Sequence, residues 1–199
     1  MTMGPTRFCP LIVIGASQGG MAALQTLLGK LPGDCPAVAV VLHRDRNSER
    51  FLSQLIGSKS ALPVEEVTDK LPYASGHVYL APADYHVLIE EGHFALSTDP
   101  PVRWSRPSID LLFETAADAC GPGVIGVVLT GANEDGACGA ARIVARGGMV
   151  AVQDPASAEC ETMPRAVIAA TGTPHILPLG QIAAWLTRQV AKQTPVHFP

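Results

Sequence analysis

Three observations predict a doubly wound α/β domain with a mostly parallel sheet. Short apolar runs recur along the chain, apolar on both faces, as central parallel strands are when helices cover each side. Longer stretches with apolar residues at helical spacing separate them, and that alternation is what builds such a sheet. The 199 residues are 47% hydrophobic, which supports a real core and excludes disorder as a description of the whole chain.

The strands are read first. Leu11–Gly15, Ala37–His43, Val124–Leu129 and Gly148–Val152 are the β-branched runs expected at the sheet centre. The helices lie between them. Gly20–Lys30 carries Met21, Leu24, Leu27 and Leu28 on one stripe, and Pro32-Gly33 follows as a stop. Ser48–Ile56 opens on a capping serine, as does Ser108–Ala119. Gly136–Arg146 and Leu179–Lys192 complete the helices. His77–Ala81, His86–Glu90 and Phe94–Ser97, with a turn at Glu91-Gly92, read as a small antiparallel excursion. Residues 98–107 form the longest irregular connection, and long loops within compact domains are often functional. In a Rossmann-like sheet of this kind, sites form at the carboxyl ends of strands.

Composition excludes several function classes. There are 14 Lys+Arg against 18 Asp+Glu, a net charge of −4, where a nucleic-acid binder shows a basic face. Five cysteines (Cys9, Cys35, Cys120, Cys138, Cys160) form no CxxC pair, so neither a metal knuckle nor a disulfide framework is expected. His77, His86 and His93 show no HxH or HxxxH spacing, and no metal is expected there either. The first ten residues hold no apolar signal segment, and no apolar run reaches the roughly 20 residues of a membrane span. A cytoplasmic domain without membrane insertion is the expectation.

The first strand runs into Gly15-Ala16-Ser17-Gln18-Gly19-Gly20, a GxSxG spacing between strand and helix. Such a turn pushes a serine hydroxyl outward at a helix N-terminus, where free N–H groups can hold an oxyanion. A dinucleotide-binding turn competes, although Ser17 stands where the second glycine of GxGxxG is needed for close approach to pyrophosphate. A tight turn without ligand also fits. A nucleophilic serine needs a base, and the second strand ends at His43, beside the first strand in a doubly wound sheet. The base needs a carboxylate. The run Val124–Leu129 leads into a Gly-bounded acidic loop in which Asp135 or Glu134 could orient the imidazole. Asp135 as a cap for the following helix is the structural alternative, and Asp154, at the end of another apolar run, is a fallback acid. The order Ser, His, Asp is not that of the α/β-hydrolases, where the acid precedes the histidine.

The chain resembles the catalytic domain of the bacterial chemotaxis protein-glutamate methylesterase, CheB. The resemblance rests on Ile12–Gly20 (IVIGASQGG), Val41–His43 (VLH), Gly76–Asp84 (GHVYLAPAD), Arg106–Phe113 (RPSIDLLF), Leu129–Gly139 (LTGANEDGACG), Val152–Ser157 (VQDPAS) and Met163–Ala166 (MPRA), in the family's order. It implies hydrolysis of glutamate γ-methyl esters on methyl-accepting chemoreceptors, glutamine deamidation, and no cofactor. It implies Ser17 as nucleophile, His43 as base and Asp135 as orienting acid, with backbone N–H groups of Gln18 and near Ala132 as oxyanion donors. The chain departs from the family pattern at Gln18, where the elbow typically has Thr. It departs at Ala132-Asn133, where the loop has Met-Gly, and at Arg44-Asp45, where Met-Pro follows the histidine.

The family couples this domain to an N-terminal receiver. With a first strand near Leu11, the expectation is an N-terminal extension over 1–10, one catalytic domain over 11–195 and no receiver. Arg44, Arg46, Arg103 and Arg106 are candidates for a positive rim that would attract a Glu-rich receptor helix. Trp104 is a candidate for the groove or for the core. Cys138 is expected to be a small buried side chain with no cation beside it. A non-catalytic receptor- or partner-binding module of the same fold is the alternative function.

Overall fold

The computed structural model describes residues 10–43 and 52–193. Its elements are β1 (Leu11–Ala16), α1 (Gly20–Leu28), β2 (Ala37–Leu42), α2 (Leu52–Gly57), β3 (Val64–Glu66), β4 (Val78–Leu80), β5 (His86–Glu90), β6 (His93–Ser97), α3 (Ile109–Cys120), β7 (Val124–Val128), α4 (Ala137–Ala145), β8 (Met149–Gln153), α5 (Thr162–Thr171), β9 (Ile176–Leu177) and α6 (Leu179–Gln193). Seven strands form one parallel sheet in the order β3-β4-β2-β1-β7-β8-β9. β5 and β6 form a separate antiparallel hairpin.

The central strands are buried along their whole length because they separate two cores. Side chains alternate across a strand. Leu11 and Val13 of β1 therefore face one core, with Ile109, Leu112 and Phe113 of α3, Ala140 and Ile143 of α4 and Val167 of α5. Ile12, Ile14 and Ala16 face the other, with Leu24, Leu27 and Leu28 of α1, Ile56 of α2 and Trp185 and Leu186 of α6. The β5–β6 hairpin lies over α3 and sends Val87, Ile89 and Phe94 into the first core. The Thr115 hydroxyl of α3 accepts a 3.0 Å hydrogen bond from the Ile89 N–H.

The sequence reading needs three corrections. The run around Val78–Leu80 does not belong to the antiparallel excursion: it joins the main sheet, parallel to β2, and only the hairpin is antiparallel. The edge strands β3 and β9, three and two residues long, are too short to show a periodicity. Helix α5 was not expected; it carries Pro164 in its first turn, where a missing N–H costs nothing, and buries only Met163, Pro164 and Val167. The expected start of the second helix, Ser48, lies outside the described residues.

The strand order reverses at β1. β2 lies on one side of it and β7 on the other. That topological switch point opens a crevice at the carboxyl ends, into which the loops after β1, β2 and β7 all lead. Two glycines let these loops close together. Gly19 takes φ 75° to start α1. A Cβ at Gly131 would lie 2.6 Å from Met163 Cε and 3.0 Å from Ser17 Cβ, so only glycine lets the loop after β7 pack against Ser17.

Phe113 is fully buried between α3 and the sheet. Phe113→Ala should lower the unfolding free energy by about 3–5 kcal/mol. Val144→Ala, on the 42% exposed face of α4, should change it by less than about 0.5 kcal/mol. Urea denaturation of the two variants checks both.

Candidate active site

Ser17 directly follows β1 and His43 directly follows β2. Their predecessors Ala16 and Leu42 are partners across the strand pair. The His43 N–H donates to the Ala16 carbonyl (3.0 Å), which extends the ladder one residue and sets the two side chains beside each other. On the other side, the Ser17 N–H donates to the Thr130 carbonyl (3.0 Å), tying the elbow to the loop after β7. Ser17 and His43 line one open cavity of about 600 Å³, together with Gly19, Gly20, Met21, Leu42 and Glu159.

His43 Nε2 lies 2.8 Å from Asp135 Oδ2. Asp135 is 1% exposed and its carboxylate is surrounded by donors. Oδ2 also accepts from the Ile109 N–H (2.7 Å), and Oδ1 accepts from the Asp110 N–H (3.0 Å) and the Ser108 hydroxyl (3.1 Å). Burial, the largest single influence, pushes the carboxyl pKa up. The hydrogen bonds from His43, Ile109 and Asp110 and the charge of His43 together outweigh it and hold the pKa below the usual carboxylate value. Asp135 thus caps a helix, but not the one that follows it. It caps α3, whose own N-cap residue is Ser108, whereas α4 follows its N-cap residue Gly136 without a side-chain cap. The positive end of α3 and the imidazole are held by one carboxylate.

Supporting groups surround this pair. His86, fully buried, accepts from the Ser108 N–H at Nδ1 (3.2 Å) and donates from Nε2 to the Pro100 carbonyl (3.2 Å). It thereby braces the serine that braces Asp135. The Thr130 hydroxyl sits between the Gln18 carbonyl (2.9 Å) and the Cys160 N–H (2.8 Å). Gln153, also buried, accepts from the Thr130 N–H (3.0 Å) and donates to the Ser157 carbonyl (2.9 Å). Asn133 donates from Nδ2 to His43 Nδ1 (3.2 Å) and accepts the Asp135 N–H at Oδ1 (3.1 Å). The sequence reading gave no role to Thr130, Gln153 or Glu159, weighed His86 only as a metal ligand, noted Asn133 only as a departure from the family pattern, and saw Ser108 only as a cap. An Asn two residues before an Asp in a Gly-bounded loop is an Asx-turn signal that points to Asn133. For the others the partners lie far away in the chain, so no local pattern exists.

Several expected site residues have other partners. Glu134 is exposed and 4.0 Å from Arg103, so the choice of acid facing His43 falls on Asp135. Asp154 accepts from the Ala156 N–H and caps its own short turn. Arg106 is spent on Asp84 (2.7 and 3.0 Å) and on the Thr98 and Asp99 carbonyls (2.8 and 3.0 Å), pinning the 98–107 connection rather than lining the cavity. Arg103 lies 3.8 Å from Asp110 and donates to the Cys138 sulfur (3.1 Å). Cys138 is therefore exposed with a cation beside it, where a buried side chain without one was expected. Trp104 is 99% exposed, which overturns its core alternative. It stands with Arg103 at the tip of a tight turn where both have positive φ, 68° and 47°. Arg44 and Arg46 lie outside the described residues. Among the described residues lining the cavity, the acid Glu159 is the charged one, so the expected positive rim is not formed by Arg103 or Arg106.

Asp135→Asn keeps the shape but faces N–H donors with an amide. At pH 7 it should cost about 1–3 kcal/mol of stability in urea denaturation. A depressed carboxyl pKa stabilises the fold above the ordinary carboxylate value, and that gain is lost as pH falls through the lower folded value. The stability gap between wild type and Asp135→Asn should accordingly narrow as pH is lowered below about 4.

The CheB methylesterase family model matches residues 12–186. A Leptospira interrogans protein is 41% identical over 179 residues, covering 89% of this chain and 93% of its own length. The protein-glutamate methylesterase/protein-glutamine glutaminase of Symbiobacterium thermophilum is 37% identical over 184 residues, covering 92% of this chain; this chain spans 51% of that relative's length. The crystal structure of the Thermotoga maritima CheB methylesterase catalytic domain superposes with a TM-score of 0.87 at 30% identity, over 92% of this chain and all of that one. The chain belongs to the CheB methylesterase family.

Proposed function

We propose that this chain, as one domain over residues 11–195, hydrolyses glutamate γ-methyl esters on the cytoplasmic methylation helices of methyl-accepting chemoreceptors. Ser17 is the nucleophile, His43 the base and Asp135 the orienting acid. The observation that carries the reading is the 2.8 Å contact between His43 Nε2 and a buried, hydrogen-bonded Asp135, in the cavity that Ser17 also lines. Because Nε2 faces the carboxylate, Nδ1 is the nitrogen that takes the serine proton. In the serine-protease arrangement the two ring nitrogens have the opposite roles.

The steps follow from these positions. Ser17 Oγ bonds to the ester carbonyl carbon as its proton passes to His43 Nδ1. The imidazolium formed is stabilised by Asp135. The Ser17 and Gly131 N–H groups already serve the Thr130 and Cys160 carbonyls; the Gln18 N–H, two residues before α1, and the Ala132 N–H hold the oxyanion. The carbon–methoxy bond breaks, His43 returns the proton to the methoxy oxygen, and methanol leaves. Water then attacks the acyl-enzyme with His43 again as base, releasing glutamate. A glutamine side chain reaches the same acyl-enzyme with ammonia as leaving group, which is the deamidation implied by the relative's second activity. The triad residues accomplish each step without a cofactor. Among the described residues no helix is long and apolar enough to cross a membrane.

Ser17→Ala should abolish methanol release from methylated receptor while leaving the urea midpoint close to wild type; wild-type turnover in that variant would overturn the mechanism. Asp135→Asn should lower kcat by about 10⁴, the scale of the triad aspartate in a serine protease.

A further inference from the structure

His43 Nδ1 has one lone pair in the ring plane, and in this structure Asn133 occupies it. The assignment is over-determined. The Asp135 N–H can only donate, so the Asn133 atom 3.1 Å from it is the carbonyl oxygen, and the atom facing His43 at 3.2 Å is the NH₂ group. An amide NH₂ can only donate, so Nδ1 is the acceptor. The ring proton then sits on Nε2, where Asp135 Oδ2 receives it at 2.8 Å. Each hydrogen bond fixes the direction of the next. Among the described residues, no hydrogen bond joins Ser17 to His43.

We propose that Asn133 is a positioning residue that acts as a latch on the base: its amide holds the lone pair that must accept the Ser17 proton, and it swings away when substrate enters. This rests on the esterase reading above. One lone pair cannot serve the Asn133 amide and the Ser17 hydroxyl at full strength together, so attack requires the first hydrogen bond to break. The latch is local. Asn133 Oδ1 also accepts the Asp135 N–H two residues on, so swinging the amide away breaks both of its hydrogen bonds but moves neither the strands nor α3. It is half-buried at the loop that bears the Ala132 N–H, where an arriving ester would press on it. It also does useful work at rest, since the Nδ1 contact and the Asp135 contact select the same tautomer and keep the ring oriented for Ser17.

The test uses Asn133→Ser and Asn133→Ala. A serine hydroxyl can still accept the Asp135 N–H but is too short to reach His43, so Asn133→Ser separates the turn from the latch; Asn133→Ala removes both. A fluorophosphonate probe reports attack by the same serine through phosphonylation: Ser17 Oγ bonds to phosphorus and fluoride leaves as the hydroxyl proton passes to His43. Asn133→Ser has no amide to displace, so its Ser17 labelling should be faster than wild type by roughly 5-fold or more, since the wild type loses at least one net hydrogen bond on opening. The ¹⁵N resonance of His43 Nδ1 should move towards that of an unprotonated nitrogen without a donor. Labelling of Asn133→Ser at the wild-type rate or slower, with Ser17 still labelled in wild type, would overturn the latch alone. A slow Asn133→Ala with a fast Asn133→Ser would support it, because the alanine also loses the turn. No labelling at Ser17 in any form, wild type included, would overturn the esterase reading and the latch with it.

Discussion

The buried carboxylate of Asp135 is the interaction on which the rest of the site depends. It accepts two backbone N–H groups from the first turn of α3, one serine hydroxyl and one imidazole. A charge this deep is unfavourable unless every lone pair finds a donor. Here the parts come from three places in the chain: the loop after β7 bears the carboxylate, the start of α3 supplies the N–H groups and the hydroxyl, and the end of β2 supplies the histidine. If one of these shifts, the carboxylate loses a donor, so the pairing that orients the base also holds the helix in place. His86, behind Ser108, extends this bracing to the β5–β6 hairpin.

The sheet topology explains why these parts meet. Reversal of strand order at β1 leaves a crevice between the β1 and β7 ends, and β2 lies on the other side of β1. A residue just past each strand end then projects into the same space without further design. The small side of Gly131 lets the β7 loop close on Ser17, and Thr130 and Gln153 supply the polar ties behind it. The network around the base is closed at rest: Asp135 holds one ring nitrogen and Asn133 the other. A pre-oriented imidazole reduces the rearrangement needed when an ester binds, although the Asn133 bond itself has to break.

The connection over 98–107 shows how charge-bearing residues can be read in the wrong role. Arg103, Trp104 and Arg106 look like a rim in a list of residues. In the fold, Arg106 satisfies two loop carbonyls and Asp84, and Arg103 turns towards Cys138 and the buried Asp110. Burial pushes the Asp110 carboxyl pKa up, and Arg103 partly offsets that.

The chain by itself determined the strand and helix alternation, the positions of the long elements other than α5 to within a few residues, and Ser17 and His43 of the proposed chemistry, with Asp135 as one of three candidate acids. Each of these is written in a local pattern: β-branched runs, helical stripes, the Gly15–Gly20 turn, a histidine at a strand end, and an acid in a Gly-bounded loop. Tertiary structure alone decided that Val78–Leu80 pairs with β2, that Asp135 caps α3 instead of α4, which ring nitrogen faces the acid, and that Asn133 sits on the other. These depend on partners between about 25 and 92 residues apart in sequence, through hydrogen bonds whose direction no one-dimensional pattern records.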